Sequence, residues 1–155
     1  MIVELTLSQA LYVILHMRES DVQAFRAKYP KMDRQTYAME RFNASDIRYC
    51  LTTADGEPVA IGGAQFATPG VATLWLIGTE RIVRHRIELS RFGRRIVREI
   101  FANDLAHRIQ AYTLASLPWC ADFARFIGFC EPVAPLRAAG ANGEDIEVDA
   151  MLKGA

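Results

Sequence analysis

The chain has 155 residues, of which 51% are hydrophobic and 23% charged, and its formal net charge is zero. This length and apolar content suit one compact domain with a core, so we expect residues 1–155 to form a single domain. Zero net charge argues against a protein that mainly coats nucleic acid or a membrane surface. The longest apolar runs, such as Ala10 to Leu15 and Val71 to Ile77, fall far short of the roughly 20 residues that cross a bilayer, so we expect no membrane span.

The first third of the chain predicts a strand followed by helices. Val3, Leu5 and Leu7 alternate with polar residues, a period of two that is typical of a half-buried strand. Residues that favour helix N-caps then precede three segments with helical patterns. The predicted helices are Gln9 to Met17, capped by Ser8, Val22 to Lys28, capped by Ser20-Asp21, and Arg34 to Phe42, capped by Asp33.

Three strands separated by two turn signals come next. Asp55-Gly56 is a tight-hairpin signal between the predicted strands Arg48 to Thr53 and Val59 to Ala64. Thr68-Pro69-Gly70 marks the turn into a third strand, Ala72 to Ile77. We therefore expect an antiparallel meander. The adjacent glycines Gly62 and Gly63 inside the middle strand indicate a bulge or the close approach of another backbone.

A long helix is predicted from about residue 87 to residue 105. Its apolar residues recur at three-, four- and five-residue spacings, which is typical of one buried helix face. They are Ile87, Phe92, Ile96, Val97, Ile100, Phe101 and Leu105. The opposite face and the preceding segment concentrate positive charge, in Arg81, Arg84, Arg86, Arg91, Arg94, Arg95 and Arg98 with His85. We favour a solvated face, and the alternatives are a phosphate site or a surface that contacts a protein partner.

The last third predicts a strand, a short helix and a final strand. Ile109 to Leu114 can run parallel to the strand Ala72 to Ile77, because a helical crossover separates them. Gly128 is a predicted left-handed C-cap of the short helix. The predicted apolar face of that helix holds Trp119, Cys120, Phe123, Phe126 and Ile127. After a turn at Ala141 to Gly143, the last strand alternates Ile146, Val148 and Ala150 with the acidic residues Glu147 and Asp149.

The cysteines and histidines give no pattern typical of a metal site or a disulfide framework. Cys50, Cys120 and Cys130 are odd in number and lack CxxC spacing, so we predict buried free thiols. The three histidines lie far apart in sequence, and we expect no metal.

This order of elements resembles the GCN5-related N-acetyltransferase (GNAT) family. The resemblance rests on the meander, the long helix, the parallel strand, the short helix that ends in Ile127-Gly128-Phe129 and a last hairpin. It implies an α/β (α+β) fold with a mixed, mostly antiparallel central sheet and helices on both faces. In that family two central parallel strands splay apart, acetyl-CoA enters the gap, and its pyrophosphate sits on backbone N–H groups at the start of the long helix.

Three features of that family are absent from this sequence. The segment Ile77 to Gly93 contains no match to the phosphate-binding pattern Arg/Gln-x-x-Gly-x-Gly/Ala. The tyrosine that often protonates the leaving thiolate is replaced by Ala124, four residues before Gly128. The family's asparagine near the start of the short helix has no counterpart in Ser116-Leu117-Pro118.

A narrower resemblance is to the acetyltransferase-like proteins of tailed bacteriophages, among them the small internal virion protein of T7-type short-tailed phages. It rests on the motifs Asp55 to Gly63, Trp75 to Thr79, His107 to Ile109, Ile127 to Phe129 and Gly143 to Asp145, together with the arginine-rich helix. The resemblance implies a virion or assembly component that contacts other phage proteins, in the virion or in the cytoplasm of a bacterial host.

Two principal functional hypotheses follow, and we place first a catalytically degenerate phage protein with a GNAT-like fold, no cofactor and a role in protein contacts. The alternative is an active N-acetyltransferase that uses acetyl-CoA, with Thr79, Arg81, Arg84 and Arg86 nearest to the phosphates and Tyr112 as an acid. A nucleic-acid-binding module is disfavoured by the neutral charge, and self-association is left open. An open gap between the strands of Trp75 and Tyr112 would favour the enzyme, and a plugged gap would favour the structural role.

Overall fold

The computed structural model describes residues 1–129 and 132–154. The first half of the chain comprises β1 (Ile2–Glu4), α1 (Leu7–Leu15), α2 (Glu19–Lys28), α3 (Arg34–Ala44), β2 (Ile47–Thr52), β3 (Pro58–Thr68) and β4 (Val71–Gly78). A short 3₁₀ helix (Glu80–Arg84) then leads into α4 (Arg86–Ala102). The chain continues with β5 (Arg108–Leu114), α5 (Pro118–Ile127), β6 (Pro132–Leu136) and β7 (Ile146–Leu152).

The strands form one seven-stranded sheet in the order β1-β2-β3-β4-β5-β7-β6. Every neighbouring pair is antiparallel except β4 and β5, which are parallel and are joined by the crossover through α4. One apolar core lies between the sheet and α1 to α3, and a second lies between the sheet and α4 with α5. The predicted mixed, mostly antiparallel sheet with helices on both faces is confirmed.

The first two helices begin earlier than the sequence predicts. Thr6, rather than Ser8, caps α1, because its hydroxyl accepts the backbone N–H of Gln9 while the Gln9 side chain accepts the N–H of Thr6. Helix α2 starts at Glu19, directly after Arg18. The cap predicted at Asp33 is confirmed, since its carboxylate accepts the N–H of Thr36 at 2.9 Å.

Two predicted apolar faces need correction at their ends. Ile87 is 66% exposed because five residues along a helix turn by a net angle of about 140°, which carries it away from Phe92 and the buried face. Leu105 lies beyond the end of α4 and is 44% exposed. In α5 the buried residues are Ala121, Ala124 and Ile127, whereas Trp119 and Phe126 face outward.

Gly128 ends α5 as predicted, with a left-handed φ of 117°. Cys50 is a fully buried free thiol whose pKa is raised to about 12 by burial, as the sequence predicts. Cys120 is free and half-buried, and Cys130 lies outside the described residues. In the described part of the chain, no helix combines the length and the hydropathy that crossing a membrane requires.

The close backbone approach predicted at Gly62 and Gly63 is confirmed. A Cβ atom on Gly63 would lie 2.0 Å from the carbonyl oxygen of Ile47 on the neighbouring strand β2. A Cβ atom on Gly62 would lie 2.8 Å from Cε1 of the Phe92 ring and 3.0 Å from the carbonyl oxygen of Trp75. These two glycines let β2 and α4 pack tightly against β3.

We expect Gly63→Ala to lower the free energy of unfolding by about 3 kcal/mol, at the upper end of the usual cost of overpacking. The clash is with the backbone of β2, which cannot move without breaking strand pairs. Gly62→Ala is the matched control and should cost about 1 kcal/mol, because the Phe92 ring can shift. Urea denaturation of both variants measures the difference, and a larger loss for Gly62→Ala would contradict this account.

Candidate functional site

The two parallel strands separate halfway along their length. Strand β4 pairs with β5 only from Val71 to Leu74, opposite Arg108 to Ala111. Beyond this point β4 is paired only with β3, and residues Tyr112 to Leu114 of β5 only with β7. The sheet therefore opens into a gap between the second halves of β4 and β5.

A cavity of about 150 Å³ enters this gap. Consecutive residues of both strands line it, 73–77 of β4 and 112–114 of β5. The remaining wall comes from α2, α3 and the start of β7, through Asp21, Ala24, Phe25, Ala27, Lys28, Tyr29, Tyr37, Arg41 and Ile146. The gap is open on this side, which is the outcome that favours the enzyme hypothesis.

The start of α2 is bonded to the end of β4. The N–H of Gly78 donates to Oδ2 of Asp21 at 2.7 Å, and the N–H of Arg18 donates to the carbonyl of Gly78 at 3.0 Å. Arg18 Nε also donates to the same oxygen of Asp21 at 3.0 Å. Burial raises the pKa of Asp21, while Arg18 and the Gly78 N–H lower it. This cluster fixes the wall that α2 contributes to the cavity.

Tyr112, predicted as a candidate acid, lies at the mouth of the gap. Its side chain is 44% exposed and lines the cavity. Gln110 Nε2 lies 3.0 Å from the Tyr112 hydroxyl oxygen and donates to it, which leaves the phenolic hydrogen free. Tyr112 therefore keeps a phenolic hydrogen at the mouth of the gap, and its role as an acid remains a prediction.

Three buried polar atoms of cavity residues have no hydrogen-bond partner among the described residues. They are Nε1 of Trp75, Nε of Arg41 and Oγ1 of Thr113. Leaving such a group unpaired costs about 1–3 kcal/mol, so several of them at one cavity indicate a surface that is completed by a ligand or by water.

Asp149 is a further buried polar residue, on the side of the sheet that α5 covers. It is fully buried and lies on β7 opposite Ala111, at the last paired position of β4 and β5. Neither carboxylate oxygen has a partner among the described residues. Burial raises the pKa of Asp149, and the charge of Arg125 opposes that rise. The alternating pattern of the last strand does not reveal this burial, because it cannot show that α5 covers the face of β7 that carries Asp149.

The residues predicted to bind phosphate take different positions around the start of α4. Arg84 and Arg86 are exposed and form no ion pair within the described residues, whereas Arg81 pairs with Glu57. Thr79 is buried, and its N–H and hydroxyl both donate to the carbonyl of Val59, at 2.9 and 3.0 Å. A phosphate would compete with Val59 for that hydroxyl hydrogen. Phosphate binding by these four residues remains a prediction.

The first turn of α4 offers unpaired backbone donors beside Arg84 and Arg86. No side chain caps this end, and the first N–H groups of any helix lack partners within the helix. Further along α4, Arg94 and Arg95 have structural contacts instead. Arg94 donates to the carbonyl of Phe126 at 3.3 Å, and Arg95 lies 4.9 Å from the centre of the Tyr49 ring. Only part of the arginine-rich surface is therefore free for an anion.

The comparisons with known proteins identify the fold. An acetyltransferase of the GNAT family from Bacillus anthracis is similar with a TM-score of 0.75 and 13% identity, over 99% of this chain and 95% of that one. Spermidine N-acetyltransferase from Vibrio cholerae, in complex with CoA and spermine, has a TM-score of 0.72 at 11% identity, over 99% and 95% of the two chains. The ribosomal-protein-S18-alanine N-acetyltransferase from Escherichia coli has a TM-score of 0.65 at 16% identity, over 100% and 94%.

The chain therefore has the GNAT fold along essentially its whole length. No protein-family model matches the sequence, and no curated protein sequence matches it. Within residues 1–129 and 132–154, no group of three or more His, Cys, Asp or Glu side chains could hold a metal ion.

We expect Asp149→Asn to stabilise the protein at neutral pH and not in acid. Because the folded-state pKa of Asp149 is raised above its ordinary value, the wild type loses stability as pH rises from that ordinary value through the folded-state pKa. The asparagine carries no charge, so the variant should gain about 1 kcal/mol at pH 8. Urea denaturation from pH 4 to pH 8 should show this gain shrinking towards acid.

Glu147→Gln, at a half-buried position of the same strand, is the control for removing an acidic charge. Its difference from the wild type should change less with pH than that of Asp149→Asn. A pH-independent effect of Asp149→Asn would contradict the assignment of a buried, unpaired carboxyl.

Proposed function

We propose that the protein is an N-acyltransferase that binds acetyl-CoA in the gap between β4 and β5 and acylates an amine held in the adjoining cavity. The observation that carries this proposal is the opening of the sheet beyond Leu74 and Ala111, with a cavity that enters it. The GNAT fold of the chain supports the same chemistry. Fold alone does not determine function, so the proposal also needs residues at the gap that can bind the cofactor and donate a proton.

Backbone groups at the gap fit an extended ligand that contains amides. Gly78 faces Ala60 in the ladder with β3, yet directs its N–H and carbonyl away from β3, to α2. Leu76 faces Gly62 two residues earlier in the same antiparallel ladder, so its N–H and carbonyl also face away from β3, into the gap. No turn or loop hydrogen bond in the described part of the chain satisfies them. Bound acetyl-CoA would supply the activated acyl group, and Leu76 would bond its amides.

Positive groups at the start of α4 fit the phosphates of the same ligand. The unpaired N–H groups of the first turn attract an anion, and Arg84 and Arg86 add two guanidinium groups that are free of ion pairs in the described residues. Since the glycine pattern is absent, side chains would make many of the phosphate contacts that backbone N–H groups make in the GNAT family.

Tyr112 supplies a proton at the gap. It is the cavity phenol that belongs to one of the separated strands, and the donor from Gln110 leaves its hydrogen available. With alanine at position 124, α5 supplies no phenol at the family's position. A phenol on β5 rather than on α5 is thus our candidate for protonating the leaving thiolate.

We expect the double variant Arg84→Ala/Arg86→Ala to bind CoA about tenfold or more weakly, because charge-assisted bonds to phosphate each contribute about 1.5–3 kcal/mol. Calorimetric titration with CoA measures the change. Arg26→Ala/Arg98→Ala removes the same charge from exposed positions elsewhere on α2 and α4 and should leave the affinity within about twofold. An equal loss of CoA affinity in both double variants would contradict direct contact with the phosphates and indicate long-range electrostatics instead.

We expect Tyr112→Phe to lower kcat about 100-fold with little change in KM, as is typical for loss of a general acid. Tyr29→Phe removes a phenol from the same cavity but not from a separated strand, and it should retain near-normal kcat. Release of CoA thiol in steady-state assays measures both. A normal kcat for Tyr112→Phe would remove the acid role.

A second candidate is the cofactor-free phage protein that contacts other virion components, in the virion or in the host cytoplasm. The replacement of the family tyrosine by Ala124 and the exposed apolar side chains Ile87 and Phe126 on α4 and α5 favour it. Calorimetric titration with acetyl-CoA separates the two functions. Saturable micromolar binding excludes the cofactor-free role, and the absence of saturable binding contradicts the acyltransferase.

A further inference from the structure

The cavity beside the gap contains two basic side chains, Lys28 from α2 and Arg41 from α3. Neither forms an ion pair within residues 1–129 and 132–154. We propose that the cavity takes an amine that also carries a carboxylate, such as an amino acid, and that it rejects a polyamine. This inference deepens the proposed acyltransferase function and rests on it for the role of the amine.

The aromatic side chains of the cavity are already in contact with these cations. Arg41 lies 5.6 Å from the centre of the Tyr37 ring and 6.0 Å from that of Trp75. Lys28 lies 5.4 Å from the ring of Tyr29 and 5.8 Å from that of Tyr112. Aromatic rings that would otherwise attract an ammonium ion therefore hold the protein's own positive groups. A polycationic ligand would have to displace those groups and would be repelled by them.

Several hydrogen-bond donors at the cavity lack acceptors. The indole Nε1 of Trp75 and Nε of Arg41 are buried without partners among the described residues, and the Lys28 ammonium adds three more hydrogens to donate. Buried donors are normally satisfied, and a carboxylate offers two oxygens that accept charge-assisted bonds. The donors at the cavity thus match an anion.

The acidic side chain that lines the cavity is already paired within the protein. Asp21 is the one acidic residue among the described residues that line the cavity. Its Oδ2 accepts both from Arg18 and from Gly78, so its charge is compensated within the protein. The unpaired charge that faces the cavity is consequently positive, from Lys28 and Arg41.

The experiment compares pairs of ligands that differ only in whether they carry a carboxylate. L-Amino acids and their primary carboxamides, with spermidine as a polycation, are titrated into the wild-type protein by calorimetry and by the NMR signal of the Trp75 indole N–H. Trp119→Phe assigns that signal, because the chain has two tryptophans. We expect at least one amino acid to bind at least tenfold more tightly than its amide, to shift the Trp75 signal, and to bind more tightly than spermidine.

The double variant Lys28→Gln/Arg41→Gln should abolish this preference, so that amino acid and amide bind within about threefold of each other. Arg26→Gln/Lys31→Gln removes the same charge from exposed residues of the same region that do not line the cavity, and it should keep the preference. Equal or tighter binding of the amides or of spermidine by the wild type overturns the inference. Failure of every amino acid to bind at millimolar concentration also overturns it.

The same series, repeated with acetyl-CoA and a thiol-release readout, separates this inference from the proposed function. Carboxylate-selective binding without acyl transfer supports the inferred ligand and contradicts the acyltransferase function. Acyl transfer to amines with no preference for a carboxylate supports the acyltransferase function and contradicts the inferred ligand.

Discussion

The rest of the site depends on the gap between β4 and β5, and the hydrogen bonds between Gly78 and the start of α2 stabilise this gap. A strand that separates from its neighbour exposes backbone groups that no longer have a partner, at a cost for each. At Gly78 the N–H and the carbonyl are instead satisfied by Asp21 and Arg18. The start of α2 takes the place of β5 at this position, so β4 can extend to Gly78 without a strand on that side.

The same arrangement explains why unpaired polar atoms gather near the gap. Where α2 and α3 replace β5 as neighbours of β4, side chains meet across a space and not across a ladder of hydrogen bonds. Trp75 and Arg41 each keep a buried atom without a partner there among the described residues. On the other face of the sheet, Thr113 and Asp149 do the same beside the last paired position. These groups lower the stability of the isolated chain, and functional sites are where proteins retain such costs.

The fold could largely be predicted from local patterns because each strand and turn has its own signal. The hairpin at Asp55-Gly56 and the crossover before β5 determine the meander and the parallel pair. The exposure of Ile87 and Trp119 could not be predicted, since it depends on where a helix starts and rotates. The burial of Asp149 could not be predicted either, because a period of two does not reveal whether the second face of a strand is covered by a helix.

The cavity was the least predictable part, because its walls come from segments that no local pattern connects. Lys28 and Arg41 belong to different helices, and each looks like an ordinary surface cation in the sequence. Only the tertiary structure places both beside Trp75 and Tyr112, at the end of a broken strand pair.

The positions of the basic side chains and of Tyr112 bear on how the absent family residues are interpreted. A glycine-rich loop and a tyrosine on α5 would serve a ligand from the α4 side of the sheet, and this chain lacks both. Arg84 and Arg86, which form no ion pair among the described residues, lie at the start of α4, and the phenol of Tyr112 lies on β5, beside Lys28 of α2. Because charged side chains can bind phosphate without glycine, and a phenol can donate from either strand or helix, the absence of the sequence pattern does not by itself exclude the proposed chemistry. The open gap, rather than the motif, is therefore the stronger guide to function in this chain.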